Sequence, residues 1–221
     1  NNSHVVNTSG TGAHGLYALG RGYIEANNAS ITTTGSEAHG INAVRLNGRF
    51  YHSSSETGNQ DYSGRVGLRG NVTLNVGNNA QALRADSLDN PSGTGRGLDS
   101  EGNRASIRTL STGRYNITGN ILSQNFGLID LEMDNGSVFS GSTTASNGGD
   151  IHIDLNGNQS IWNVNGNSSL STLALSGSTV RFIDAGPSSL TTSGDLTTRN
   201  GAVLDLANGH TGDLLRIGGN Y

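Results

Sequence analysis

Ala13-His14-Gly15-Leu16-Tyr17-Ala18-Leu19 returns 25 residues later as Ala38-His39-Gly40-Ile41-Asn42-Ala43-Val44. Asn79-Ala80-Gln81-Ala82-Leu83-Arg84-Ala85 is a weaker third copy. A fixed period in the range of about 20–50 residues is the mark of a stacked repeat, in which each unit buries its apolar face only against its neighbours. Between the first two copies runs Tyr23-Ile24-Glu25-Ala26-Asn27-Asn28-Ala29-Ser30-Ile31-Thr32-Thr33-Thr34-Gly35, two short β runs divided by an Asn-rich turn. No stretch sustains a helical apolar period, so helical repeats do not fit. The pattern predicts an all-β, right-handed parallel β-helix whose rungs stack about 4.8 Å apart. At about 22 residues per rung the chain would give about ten rungs.

Composition agrees with that reading. There are 34 Gly, 2 Pro, no Cys, 5% aromatic and 14% charged residues. Alternating runs such as Val72-Thr73-Leu74-Asn75-Val76 and Ile151-His152-Ile153-Asp154-Leu155 argue against disorder. Asn tolerates left-handed backbone and can bond to its counterpart one rung away, which suits it to the corners. The absence of Cys excludes disulfides and thiolate chemistry. All 13 basic residues are Arg, so lysine-dependent phosphate loops and Schiff bases are excluded. Residues 1–114 carry 10 Arg and 8 acids, whereas 115–221 carry 3 Arg and 9 acids. Neither half is basic enough to predict a nucleic-acid partner.

Residues 47–64 and 84–104 break the rhythm and are expected to project from the rod as loops. From about Tyr115 the rungs become more regular, over 127–141, 149–166, 168–186 and 188–209, with a partial one at 212–221. One elongated unit over 1–221 is the economical division. The chain begins at Asn1 without Met or leader, as a processed fragment would, and its end reads as the middle of a rung.

A family resemblance enters with the ordered series of the last rungs. Ser160-Ile161-Trp162-Asn163-Val164-Asn165-Gly166-Asn167-Ser168-Ser169-Leu170 is followed by Leu173-Ala174-Leu175 and Val180-Arg181-Phe182. Then come Leu196 through Gly201-Ala202-Val203-Leu204-Asp205-Leu206 and Asp213-Leu214-Leu215-Arg216-Ile217. This series resembles the C-terminal passenger region of autotransporters (type V secretion) of the pertactin and diffuse-adherence adhesin type. The likeness is good over 105–221 and looser, repeat-like, before that. It implies a passenger at the bacterial cell surface, or released from it, exported through its own C-terminal β-barrel, which this chain lacks. It also implies that rungs near 150–221 form the autochaperone region, which folds first and templates the rest. Trp162, Val164, Leu170, Leu173, Leu175, Val180, Phe182, Leu196, Leu204, Leu214 and Ile217 would build its core.

Several side chains are of the types that carry chemistry. Parallel β-helices include polysaccharide lyases and hydrolases, which need carboxylates grouped with Arg or His on neighbouring rungs. Asp130, Asp134, Asp150 and Asp154 come nearest, and a solvated strand face explains them as well. No nucleophile, zinc-protease or calcium-repeat motif is present, so no enzyme, metal or cofactor is expected. His14 and His39 occupy equivalent repeat positions and are read as packing. Trp162, in a dense apolar rung, is read as core. The candidate ligand-binding set is Arg45, Arg49, Arg65, Arg69 and Arg84 with Phe50, Tyr51 and Tyr62. Arginine forks pair with carboxylates and sulfates, and rings stack on sugars; solvated arginines around a loop are the plainer reading. The expected role is adhesion to a host matrix protein or acidic glycan, self-association between cells with biofilm formation, or both. A polysaccharide-degrading enzyme is the alternative.

Overall fold

The computed structural model describes residues 4–46, 62–77, 79–87, 103–206 and 210–221. Among these residues there are 22 strands and no helix. All strand pairings but one are parallel, and they trace three faces of a β-helix. Face A passes through the first half of Tyr23–Thr33, the first half of Arg65–Val76, Ser106–Thr109, Leu128–Met133, Asp150–Asn156, Thr172–Ser176 and Leu196–Arg199. Face B runs from His4–Thr8 through the second halves of the two long strands to Tyr115–Thr118, Val138–Gly141, Ile161–Val164, Thr179–Phe182 and Val203–Asp205. Face C begins Leu16–Leu19, Ile41–Leu46, Gln81–Asp86, Asn120–Gln124, Thr143–Ser146. It continues as a separate sheet of Ser168–Leu170, Ser189–Thr192 and Leu214–Ile217.

The chain therefore makes an opening partial turn and seven complete ones, fewer than a uniform 22-residue repeat predicts. The reason lies in the two long segments. On face A the partners step from Tyr23 to Arg65 to Ser106, 42 and 41 residues, and then settle to 22 at Leu128 and Asp150. Of the segments expected as loops, 47–61 and 88–102 lie outside the described residues. Their flanks are strand: Tyr62–Ser63 pairs antiparallel with Arg45 and Leu46, and Arg84, Ala85 and Asp86 belong to face C.

Period-two alternation sends one residue in two to the interior, and parallel stacking turns these into columns. On face B, Ile31, Leu74, Ile117, Phe139, Trp162, Val180 and Leu204 are successive partners. The Phe139 and Trp162 rings stack with centroids 5.2 Å apart, and the indole Nε1–H donates to the Gly141 carbonyl at 3.0 Å. Face C lines the interior with Ala18, Ala43, Ala85, Ser123 and Ala145, which leaves room for the large side chains opposite. Where its first sheet stops, the Ser168 and Ser169 hydroxyls accept the Thr143 and Ala145 amides. The two long strands turn from face A to face B at Asn28 (φ 50°) and Gly70 (φ 63°), conformations that L-residues other than Asn and Asp rarely adopt.

Of the expected core set, Trp162, Val164, Leu170, Leu173, Leu175, Val180, Phe182 and Leu196 are buried. Leu204 and Ile217 are partly buried and pack against them. Leu214 is a correction: it points outward and is 40% exposed. In one strand, residues three apart lie on opposite sides, so Leu214 cannot share the interior with Ile217. Leu215, partner of buried Leu190, takes that place.

Candidate ligand-binding face

The outer side of face A is built by the same alternation. Ile24, Val66 and Ile107 point inward as successive partners, so the residues flanking them point out. The outward column Glu25, Gly67, Arg108, Asp130, His152 and Thr172 runs along the rod. Beside it stand Tyr23 and Arg65, and then Arg69. Positive charge thus occupies the early turns of this face, and carboxylates (Asp130, Glu132, Asp154) occupy the next ones.

Among the positive groups lies an open cleft of about 280 Å³, lined by Tyr23, Arg65, Gly67, Arg104, Arg108 and Leu110 among others. Its floor is Gly67. A Cβ there would stand 2.3 Å from Leu110 Cδ1 and 2.9 Å from the Tyr23 hydroxyl, so these two side chains occupy the space the glycine leaves. Tyr23 is 54% exposed and Leu110 39%. The Arg65 guanidinium lies 6.0 Å from the Tyr23 ring centroid, and its Nη1 donates to Asn103 Oδ1 at 3.4 Å. Arg104 is committed: its Nη2 donates to the Gly127 carbonyl at 2.7 Å and to Asp150 Oδ2 at 2.6 Å. Burial works against the charge of Asp150, but the bonds from Arg104 and Ser171 outweigh it and hold the carboxyl below its usual range. Arg108 is exposed and has no hydrogen-bond or ion-pair partner among the described residues.

The residues expected to bind ligand do not form one site. Arg45 is 2% exposed inside face C and cannot belong to a surface strip. Its parity with Ile41 and Ala43 aims it inward. Tyr62 is half-buried at the edge of face C, with the Arg21 guanidinium 3.7 Å above its ring. Arg84 lies on face C, bonded to Asp86 at 2.5 Å and to Asn42. Arg69 pairs with Glu25 at 2.5 Å on face A, and Arg65 alone of the set lines the cleft. Arg49, Phe50 and Tyr51 lie outside the described residues. Sequence reasoning missed Tyr23, Arg104, Arg108 and Leu110. The signal was available: aligning Tyr23-Ile24-Glu25, Arg65-Val66-Gly67 and Ser106-Ile107-Arg108 on their inward residue stacks the cleft.

Of the four carboxylates, Asp130 and Asp154 are near neighbours on adjacent turns of face A, with His152 beside Asp130 in register. Asp150 is bound to Arg104 and to Ser171. The Asp134 carbonyl caps the Ser137 and Ser160 hydroxyls at a corner. Asp130 and Asp154 face outward, and burial, then Asp130, raise the Asp154 carboxyl above its usual range. On face C, His14 and His39 stack with ring centroids 5.0 Å apart at 11°. His14 Nδ1 accepts the His39 amide at 3.0 Å and His39 Nδ1 accepts the Gln81 amide at 2.9 Å. Both rings must therefore be neutral at Nδ1. Burial, Arg84 and then His14 lower the His39 pKa to about 4.

No family model matches the chain, and no solved structure matches it. Two curated relatives do. Over 200 residues, 90% of the chain, it is 32% identical to the YcgV protein of Escherichia coli O157:H7. Over an alignment of 235 residues that takes in the whole chain, it is 31% identical to "Probable autotransporter YcgV" of Escherichia coli strain K12. The chain spans 30% of the length of the first and 21% of the second.

Proposed function

Because this chain is an autotransporter passenger β-helix, a class exported to the outer membrane and cell surface, we propose that it works there as an adhesive rod. It would attach the cell to acidic glycan or matrix protein through the early turns of face A, without turnover. The observation that carries this reading is the open cleft in which Arg65 and Arg108 stand beside the exposed ring of Tyr23. A rigid stack of turns holds such groups at fixed spacing, so little conformational entropy is lost on binding. Guanidinium forks match carboxylate and sulfate groups geometrically.

A second observation favours cell-to-cell association through the same face. With Arg65, Arg69 and Arg108 on its second and third turns and Asp130, Glu132 and Asp154 on its fourth and fifth, two copies laid antiparallel would bring these opposite charges together, an isologous contact. We further propose that the rungs over about 150–221 start passenger folding during secretion. The column Trp162, Val180 and Leu204, with Val164 stacked on Phe182 beside it, supports this.

The test is retention of the purified chain on an array of sulfated glycans, uronate-bearing glycans and matrix proteins at two salt concentrations. Retention on acidic ligands that weakens at high salt is the expected result. Absence of retention on every acidic ligand would overturn the adhesive reading. Salt-sensitive dimerisation of the chain in solution would then favour association between copies.

A further inference from the structure

We propose that the cleft over Gly67 is a subsite for a single sugar unit carrying an anionic substituent, sulfate or carboxylate. In this assignment the sugar's apolar face lies on Tyr23 and Leu110, and its anion meets Arg108. The assignment deepens the adhesive reading and rests on it.

Three independent features converge. The first is size. Pockets that enclose drug-sized ligands start at about 300 Å³, so an open cleft of about 280 Å³ suits one ring and not an oligosaccharide. The second is an apolar platform in an otherwise polar wall. Tyr23 and Leu110, both more than a third exposed, come from the turns on either side of Gly67 and converge over that glycine. The third is the unequal commitment of the arginines. Arg104 is held by Asp150 and the Gly127 carbonyl and fixes one wall. Arg65 is partly engaged by Asn103. Arg108, on the next turn and beside Gly67 in register, lines the cleft, is exposed and has no hydrogen-bond or ion-pair partner among the described residues. A pyranose presents an apolar C–H face and an edge substituent in that same relation. An acidic peptide presents a carboxylate on a flexible stem and gains nothing from the ring.

The experiment is calorimetric or NMR titration of the whole chain with four probes: a sulfated disaccharide, a uronate-bearing disaccharide, a neutral disaccharide and inorganic sulfate. Arg108→Gln, Tyr23→Leu and, on face C, Arg216→Gln are compared with the parent, each checked for an unchanged thermal midpoint. At least one acidic disaccharide should bind. Arg108→Gln should weaken it about tenfold or more, as loss of a charge-assisted pair does, and Tyr23→Leu several-fold. Arg216→Gln should leave it unchanged, and the neutral sugar should not compete. Comparing the two acidic probes identifies the anion. The proposal falls if inorganic sulfate binds as tightly as the sugars, if neither cleft variant changes binding, or if no acidic disaccharide binds. If the array retains the parent and both cleft variants equally, the adhesive reading stands and only this site is lost.

Discussion

The turns before Gln124 and those after it solve one problem, satisfying the corner amides, with different chemistry. In the early turns the acceptors at the start of face C are imidazoles, His14 for the His39 amide and His39 for the Gln81 amide. In the later turns, buried serines do the corresponding work between faces A and B. Ser137 Oγ accepts the Tyr115 amide at 3.0 Å, and Ser160 Oγ accepts the Ser137 amide at 3.3 Å. The interiors differ as well. Alanines line much of the early core, whereas Phe139, Trp162 and Phe182 fill the later one. The stacked imidazole acceptors and the smaller interior side chains thus lie in the half that also bears the cleft, and the buried Ser137 and Ser160 acceptors with large aromatic side chains lie in the other.

The largest expected effect tests the difference in packing. Trp162 is fully buried, stacked on Phe139, and bonded to the Gly141 carbonyl. Trp162→Ala should cost about 3–5 kcal/mol, read as a fall in the urea midpoint. Coupling along a stack is between neighbours, so amide exchange should accelerate first in Val138–Gly141 and Thr179–Phe182. Uniform acceleration as far as Leu16–Leu19 would show that the two halves unfold as one and that their differing interiors are incidental.

A second substitution acts at the approach of two backbones. A Cβ on Gly113 would stand 1.9 Å from the Gly70 carbonyl oxygen, and no side chain is there to move aside. Gly113→Ala must separate adjacent turns near the cleft and should cost about 1–3 kcal/mol, the range for overpacking. Thermal unfolding measures it.

The difference in acceptors sets a pH dependence. The folded His39 pKa, about 4, lies below the model-peptide value of about 6.5. Between these values the unfolded chain takes up a proton that the folded chain refuses. Stability from this group is therefore full above about pH 6.5 and falls as pH drops toward 4. The proton would also turn the Nδ1 acceptor into a donor facing the Gln81 amide. His14 is displaced in the same direction by burial and by Arg84. The groups facing the pair are Arg84, Glu37 and the Tyr17 ring. His39→Asn keeps an acceptor without a titration and should flatten the stability profile between pH 7 and 4.5. In the parent, exchange at the Gln81 amide should rise over that window while the Ser137 amide stays protected. Equal responses at the two amides would remove the distinction between the halves.

The sequence made the fold legible because a 25-residue repeat and period-two alternation are local signals. Parity could also have kept Leu214 out of the core and placed Arg45 inside it, since each follows from counting along its own strand. The cleft is another matter. Tyr23, Arg65 and Arg108 come from three turns about 40 residues apart, and the two long segments between them hide the register. A cluster of arginines close in sequence drew attention to Arg45 and Arg84. Stacking assigns spatial neighbours by turn, so closeness in sequence was the wrong guide.

The smallest expected effect concerns the charges that make face A look ordered. Arg69 and Glu25 meet at 2.5 Å, but their side chains are 42% and 43% exposed. Ion pairs at that exposure gain modest Coulomb energy against water, lose side-chain freedom and are screened by salt, so they contribute about 0–1 kcal/mol. Glu25→Gln should therefore shift the thermal midpoint little, and any shift should vanish at high salt. Its larger consequence is electrostatic, since it frees a guanidinium beside the cleft. If face A recruits acidic ligands by charge, Glu25→Gln should speed association at low salt and leave dissociation nearly unchanged. A rate unaffected by this change would mean that charge on face A serves solubility, and that recognition rests on the groups inside the cleft alone.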